Sequence, residues 1–165
     1  MKTLLLLRHA KSDWGDSSLP DHDRPLKKRG IKAAGRVGRV LRTQAPHPDL
    51  VLCSTAVRAQ ETLRLALDEA HVSPPMEFLK DLYHCPPDQF IGTLCRVTEP
   101  TPTVLLVGHN PGLEEFLSQL CDQPVTVPTA TLARVELELD AWSEFTDSTR
   151  GRLTNIWRPR ELDDG

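Results

Sequence analysis

No stretch of the 165 residues is apolar for long enough to cross a bilayer, so no membrane-spanning helix is expected. Cysteine is sparse: Cys53, Cys85, Cys95 and Cys121 form neither a Cys-x-x-Cys pair nor a zinc-type spacing. Without a secretory leader, reduced thiols are expected, with Cys53 a small buried hydrophobe behind Leu50-Val51-Leu52. A large excess of charge of one sign is lacking too. The formal net charge of −3 gives no bulk attraction to nucleic acid or anionic membrane. Lys2 and the leucines after it resemble the start of a leader, but Arg8 interrupts the run after four leucines, too early for a signal core. There is no linker, and no repeat beyond the two strand endings described next. The expectation is one cytoplasmic domain over residues 1–165, monomeric, with no membrane or nucleic-acid partner.

What the chain does have is a design used twice. Residues 4–9 read Leu-Leu-Leu-Leu-Arg-His, and residues 104–109 read Val-Leu-Leu-Val-Gly-His. A short apolar run bounded by polar residues fits a strand buried on both faces, as in a parallel sheet. Chemistry in open α/β sheets sits beyond the carboxyl ends of such strands. Arg8, His9 and His109 are thus delivered to one sheet edge.

Between and after these runs, strands and helices alternate. Strands are expected at 2–8, 49–53, 76–79 and 104–107, and helices at 27–43, 56–70, 86–97 and 113–121. The first helix carries Ile31, Ala34, Val37 and Leu41 as its apolar stripe. Gly35 and Gly38 either weaken that helix or let it pack closely. Ser54 is placed to cap the second. Residues 11–26 read as a polar loop. The period changes at 133–139, where Ala133, Val135, Leu137 and Leu139 alternate with Arg134, Glu136 and Glu138, a half-buried strand. Residues 140–151 read as an exposed loop, Leu153–Trp157 as a hairpin partner or edge strand, and the end with Asp163 and Asp164 as loose. The fold class is α/β: a three-layer sandwich with a mostly parallel central sheet and a C-terminal antiparallel edge.

Three blocks carry candidate chemistry. Arg8-His9 pairs a planar fork of phosphate-binding donors with a residue able to act as base or nucleophile. Ser54-Thr55-Ala56-Val57-Arg58-Ala59-Gln60-Glu61-Thr62 puts Arg58 in the first turns of a helix at the same edge. Gly108-His109-Asn110-Pro111-Gly112 holds His109 at a strand-to-helix junction, with Gly108 permitting a tight turn. Taken singly, each has a plain structural alternative: an ordinary loop start, a surface arginine, a capping histidine. Their coincidence at three strand ends of one small chain favours a phosphate site.

In order and over nearly the whole chain, Leu7-Arg8-His9-Ala10, the 54–62 block and Gly108-His109-Asn110-Pro111 resemble the signature blocks of the histidine phosphatase (phosphoglycerate mutase-like) superfamily. Arg8-His9-Ala10-Lys11-Ser12, Asp23-Arg24-Pro25-Leu26, Pro128-Thr129-Ala130 and the short length are similar to its SixA-like phosphohistidine phosphatase branch. The resemblance implies one histidine phosphatase domain, working without metal or other cofactor. His9 would attack phosphorus and form a covalent phosphohistidine. Arg8 and Arg58 would hold the non-bridging oxygens, and a protonated His109 would donate to the phosphoryl group. Arg24 and Asn110 are further candidates for substrate contact. Two departures stand out. The family's usual Arg-His-Gly is Arg-His-Ala here, acceptable if φ at Ala10 is negative. Where many members place a glutamate, this chain reads Leu82-Tyr83-His84-Cys85, leaving His84 either as the general acid or as an exposed loop histidine. Lack of a fixed carboxylic acid suits a P–N substrate.

The implied partner is a phosphorylated protein or a small phosphate ester. A non-catalytic phosphate-binding module and a metalloprotein built on His9, His84 and His109 are the alternatives from other classes. Eight cations from Arg24 to Arg42, uninterrupted by any acid, form either a solvated helix face or a dock for an acidic phosphoprotein. Only about twenty-five residues separate the third strand from Val104, too few for a large lid.

Overall fold

The computed structural model describes residues 1–159. The notional loose end at Asp163 and Asp164 lies outside them. Six strands form one sheet in the order β3-β2-β4-β1-β5-β6. They are β1 (Lys2–Arg8), β2 (Leu50–Ser54), β3 (Met76–Leu79), β4 (Thr103–Gly108), β5 (Leu132–Leu137) and β6 (Gly151–Trp157). The first four are mutually parallel, and the C-terminal pair adds the antiparallel β5 beside β1 with β6 at the edge. Helices α1 (Lys28–Thr43) and α2 (Val57–Ala70) cover one face, and α3 (Pro87–Cys95) and α4 (Gly112–Cys121) the other.

The apolar runs explain the layering. Leu4, Leu5, Leu6 and Leu7 are all essentially inaccessible. Leu5 and Leu7 point to α1 and α2, while Leu4 and Leu6 point to α3 and α4. Each such side chain contributes roughly 2 kcal/mol of burial, and the central strand is fed from both sides. Val104–Val107 does the same next door.

Four expectations are corrected. Ile31 is 44% exposed, because it falls at the flank of the arc that Gly30, Ala33, Ala34, Val37, Gly38, Val40 and Leu41 bury. Ser54 closes β2 instead of occupying the cap of α2, where Ala56 stands. Gly108 does not turn the chain with a positive φ; it ends β4, where an added Cβ would press Phe90 at 3.3 Å. The stretch after residue 139 is not simply exposed, since Trp142 and Phe145 are buried there against the α3–α4 face. The Trp142 indole N–H donates to Thr101 O at 2.6 Å, which lets a polar segment carry a core residue.

Gly38 is where α1 meets α2: a Cβ there would lie 2.5 Å from both Ala66 O and Glu69 Cβ. Gly35 faces open space, with nothing within 4 Å. The two glycines therefore have opposite expected responses. Gly35→Ala should stabilise by up to about 1 kcal/mol through helix propensity, and Gly38→Ala should destabilise by about 1–3 kcal/mol by overpacking. Urea unfolding of the two variants checks both signs.

Candidate active site

The parallel register of β1 and β4 pairs Arg8 with Gly108. The next residues, His9 and His109, therefore leave the sheet side by side, with ring centroids 5.0 Å apart. His9 N–H still bonds Gly108 O at 3.3 Å. On the other side of β1, Ala130 N–H donates to both Arg8 O and His9 O, at 3.1 and 3.0 Å. β2 ends at Ser54, and α2 begins three residues later, bringing Arg58 to the same edge almost fully buried.

His9 is 7% exposed, and its Nδ1 lies 2.8 Å from Ala10 O. A carbonyl only accepts, so the ring proton sits on Nδ1 and the Nε2 lone pair is left toward Arg58, whose Nε lies 3.4 Å away. Burial, reinforced by the nearby guanidinium groups, lowers the His9 pKa to about 4 despite the opposing Ala10 bond. Ala10 has no positive φ and fits without strain. Its N–H donates to Thr62 Oγ1, and Thr62 in turn donates to Arg58 O.

His109 is held by Ser54 Oγ at 2.7 Å from Nε2. Ser54 Oγ also accepts from Ala56 N–H, so one hydroxyl ties the His109 ring to the start of α2. Burial, with the fields of His9 and Arg58 added, pushes the His109 pKa far below the usual value.

Arg58 is fixed from the loop between β1 and α1. Its Nη1 donates to Asp21 O at 2.7 Å and its Nη2 to Asp21 Oδ2 at 3.0 Å. Tyr83 O–H donates to the same Asp21 oxygen. His84 Nε2 lies 3.0 Å from that oxygen and 3.2 Å from Arg58 Nη2. One nitrogen cannot donate to the first and accept from the second; beside a carboxylate the proton belongs on Nε2, so the Asp21 contact is the hydrogen bond. Desolvation alone would raise the Asp21 pKa, but the bonds from Tyr83, His84 and Arg58 together hold it well below the usual carboxylate range. Tyr83, correspondingly, is raised by burial and by Asp21.

Arg8, His9, Arg58, His109 and His84 are thus brought together; the His84 and His109 rings are 4.9 Å apart. Arg24 reaches the rim through Asp21, its Nε 3.9 Å from Oδ1, with its guanidinium 4.0 Å above the Trp14 ring. Asn110 is committed elsewhere: its Nδ2 donates to Val127 O and its Oδ1 accepts from Glu114 N–H, tying the start of α4 to the 127 segment. Arg8 Nη1 shares that Val127 carbonyl. Buried without a protein hydrogen-bond partner, among the described residues, are Arg8 Nε, Arg24 Nε and Nη1, His109 Nδ1 and Thr131 Oγ1. Burial likewise lowers the pKa of Arg8, partly offset by Glu114. Among the described residues no group of three or more His, Cys, Asp or Glu is arranged to hold a metal ion. Asp21 and Tyr83 are the members of the cluster that sequence reasoning missed. The Asp21-His22-Asp23-Arg24 run was the available signal, read only at its second half.

The family model of the histidine phosphatase superfamily (branch 1) matches residues 4–85. An uncharacterised protein of Mycobacterium tuberculosis is 44% identical over 107 residues, spanning 64% of this chain and 63% of its own length. An uncharacterised chloroplastic protein of Arabidopsis thaliana is 32% identical over 152 residues, covering 87% of this chain and 70% of that protein. The candidate SixA phosphohistidine phosphatase of Nakamurella multipartitia superposes with a TM-score of 0.82 at 29% identity, over 96% of both chains. With its fold and its strand-end cluster, the chain belongs to the histidine phosphatase superfamily.

A histidine held neutral by burial makes stability depend on pH. The folded pKa of His9 lies near 4, against an unfolded value near 6.5. The unfolded chain binds more protons between these values, so stability falls as pH drops from about 6.5 to 4. The expected loss is roughly 2 kcal/mol by pH 5 from His9 alone. Urea unfolding at pH 7.5 and pH 5 should show it, and His9→Gln should reduce the difference without abolishing it, because buried His109 acts in the same sense.

Proposed function

We propose that this protein is a phosphatase that works through a covalent phosphohistidine on His9, and that its substrate is a phosphohistidine of a partner protein. The observation that carries the reading is the disposition of His9. It is buried and neutral, with Nδ1 committed to Ala10 O and the Nε2 lone pair facing a guanidinium. A neutral lone pair is what in-line attack on phosphorus requires.

In the first step Nε2 forms a bond to phosphorus as the bond to the leaving nitrogen breaks, and that nitrogen takes a proton. His84, an exposed ring at the mouth of the cluster whose Nε2–H rests on Asp21, is the candidate donor. In the second step water attacks phosphorus, His9 leaves with its electron pair, and inorganic phosphate is released. Arg8, Arg58 and His109 supply donors to the transferred oxygens. Such catalysis is chiefly positioning and electrostatics around a loose transition state. A phosphate dianion beside His109 would favour its charged form against burial, so its protonation accompanies binding.

A protein substrate is supported by the shape of the chain. Residues 80–102 are used in one 3-10 turn and α3, and α3 packs against α4 and the Trp142 turn. The Nakamurella structure, a candidate phosphohistidine phosphatase, points to the same substrate kind. A small-molecule phosphomonoesterase is the second reading, favoured by the Tyr83 hydroxyl and the Asp21 carboxylate beside the cluster, groups that suit polar recognition of an alcohol.

The test is phosphate release, with EDTA present, from a phosphohistidine protein and from p-nitrophenyl phosphate. The phosphohistidine should be preferred, and His9→Ala should lose more than about 10³-fold. An acid-labile, alkali-stable phosphoprotein should be trapped in the wild type. Arg58→Ala should lose about 10²–10³-fold in kcat. Preference for the aryl ester would move the substrate to small molecules, and equal inactivity of wild type and His9→Ala would leave a phosphate-binding module.

A further inference from the structure

Helix α1 is amphipathic in an uncommon sense: one face is apolar and the other is cationic throughout. At 100° per residue, Lys28, Arg29, Lys32, Arg36, Arg39 and Arg42 fall within an arc of about 140°, opposite the buried arc, along roughly 24 Å of helix. The region from Arg24 to Arg42 carries a formal charge of +8 in a chain whose total is −3. The stripe is not uniformly available. Arg42 pairs with Glu69 at 3.6 Å, and Arg36 and Arg39 are engaged within the protein. Lys27, Lys28, Arg29 and Lys32 are exposed and have no acidic partner among the described residues.

These four cluster at the N-terminal end of α1, and that end lies at the edge where His9 leaves the sheet. Lys27 N–H donates to Lys11 O at 3.1 Å, two residues beyond His9. Gly30 is packed so closely on Lys11 that a Cβ there would sit 2.2 Å from its carbonyl oxygen. Lys11, Arg29, Arg36 and Thr129 line a surface cavity of about 250 Å³. Thr129 precedes Ala130, whose N–H bonds the Arg8 and His9 carbonyls. A cationic surface therefore runs from the nucleophile outward.

The helix does not need these charges. Its first turn has no acid and no side-chain cap, and cations at a helix N-terminus oppose the dipole by about 0.3–1 kcal/mol each. A merely solvated face would be as well served by glutamate. Local charge that costs the free protein and abuts the reaction centre fits an anionic partner.

We infer that Lys11, Lys27, Lys28, Arg29 and Lys32 form a docking surface for an acidic face of the phosphoprotein substrate, beside the phosphohistidine that enters at His9. This rests on the phosphohistidine-protein reading above and names the chemistry of the partner. Docking by exposed charges acts on encounter, so it raises apparent affinity at low salt and leaves the chemical step alone.

The experiment compares wild type with Lys28→Glu/Arg29→Glu/Lys32→Glu on two substrates. One is a histidine-phosphotransfer domain of net negative charge, phosphorylated with phosphoramidate; the other is free phosphohistidine. For the protein substrate, KM should rise about tenfold or more at low salt, its salt dependence should flatten, and kcat should hold. Kinetics on free phosphohistidine should not change. Unchanged KM for the protein in an otherwise active variant would overturn the docking surface while leaving the substrate reading intact. A parallel loss on both substrates would also overturn it, by showing damage to the site itself. If wild type turns over free phosphohistidine but not the protein, the substrate reading falls and takes this inference with it. Competition by a single-stranded oligonucleotide as strong as that by the acidic protein would assign the stripe to nucleic acid and overturn it too.

Discussion

The bond between His9 Nδ1 and Ala10 O sets the terms for everything around it. It decides which nitrogen carries the proton, and so which one is free to react. That choice is only as firm as the position of Ala10, and Ala10 is held by Thr62, fully buried on α2. Thr62 also bonds back to Arg58 O one turn earlier. One hydroxyl thus locks the reactive ring and the helix that presents its guanidinium into a single unit. Pulling α2 away from β1 would disturb His9 and Arg58 at once.

Around that unit the electrostatics are arranged by exclusion. Two arginines and two further imidazoles crowd a buried histidine, and burial with like charge keeps His9 and His109 unprotonated. The arginines cannot respond by giving up a proton, so the balancing charge has to come from elsewhere. Asp21 supplies it for Arg58 and, at longer range, for Arg24. The carboxylate stays ionised because three donors converge on it. It therefore cannot serve as a ready proton source.

Much of this was legible in the amino-acid order, for a definite reason. Leu4–Leu7 and Val104–Val107 are buried on both faces, so their runs are unbroken and their ends are unambiguous; a histidine directly after such an end has a known address. Arg58 followed from the same logic at β2. Asp21 and Tyr83 were not legible, because nothing local marks a loop aspartate as the one that will fold across to α2. Their meeting depends on the closure of residues 11–26, made by the Ser12–Leu26 bridge and the Asp13–Pro25 bond. Trp142 and Phe145 were hidden for the opposite reason: two core residues in a polar segment leave no period to read. Ile31 misled because helical spacing alone cannot say where the buried arc stops.

The sheet order has a consequence for the life history of the chain. β1 is made first, yet its neighbours are β4 and β5, which begin about a hundred and a hundred and thirty residues later. Arg8 and His9 leave the ribosome long before either flank exists, and pairing over such separations is slow and has to await the distant segments. A nascent chain that has completed α1 and α2 still lacks the strand that seats His109 and the Ala130 amide that clasps the carbonyls of Arg8 and His9. The cluster around His9 is therefore completed late, so a truncated product of interrupted synthesis carries the His9 sequence without the segments that pack around it.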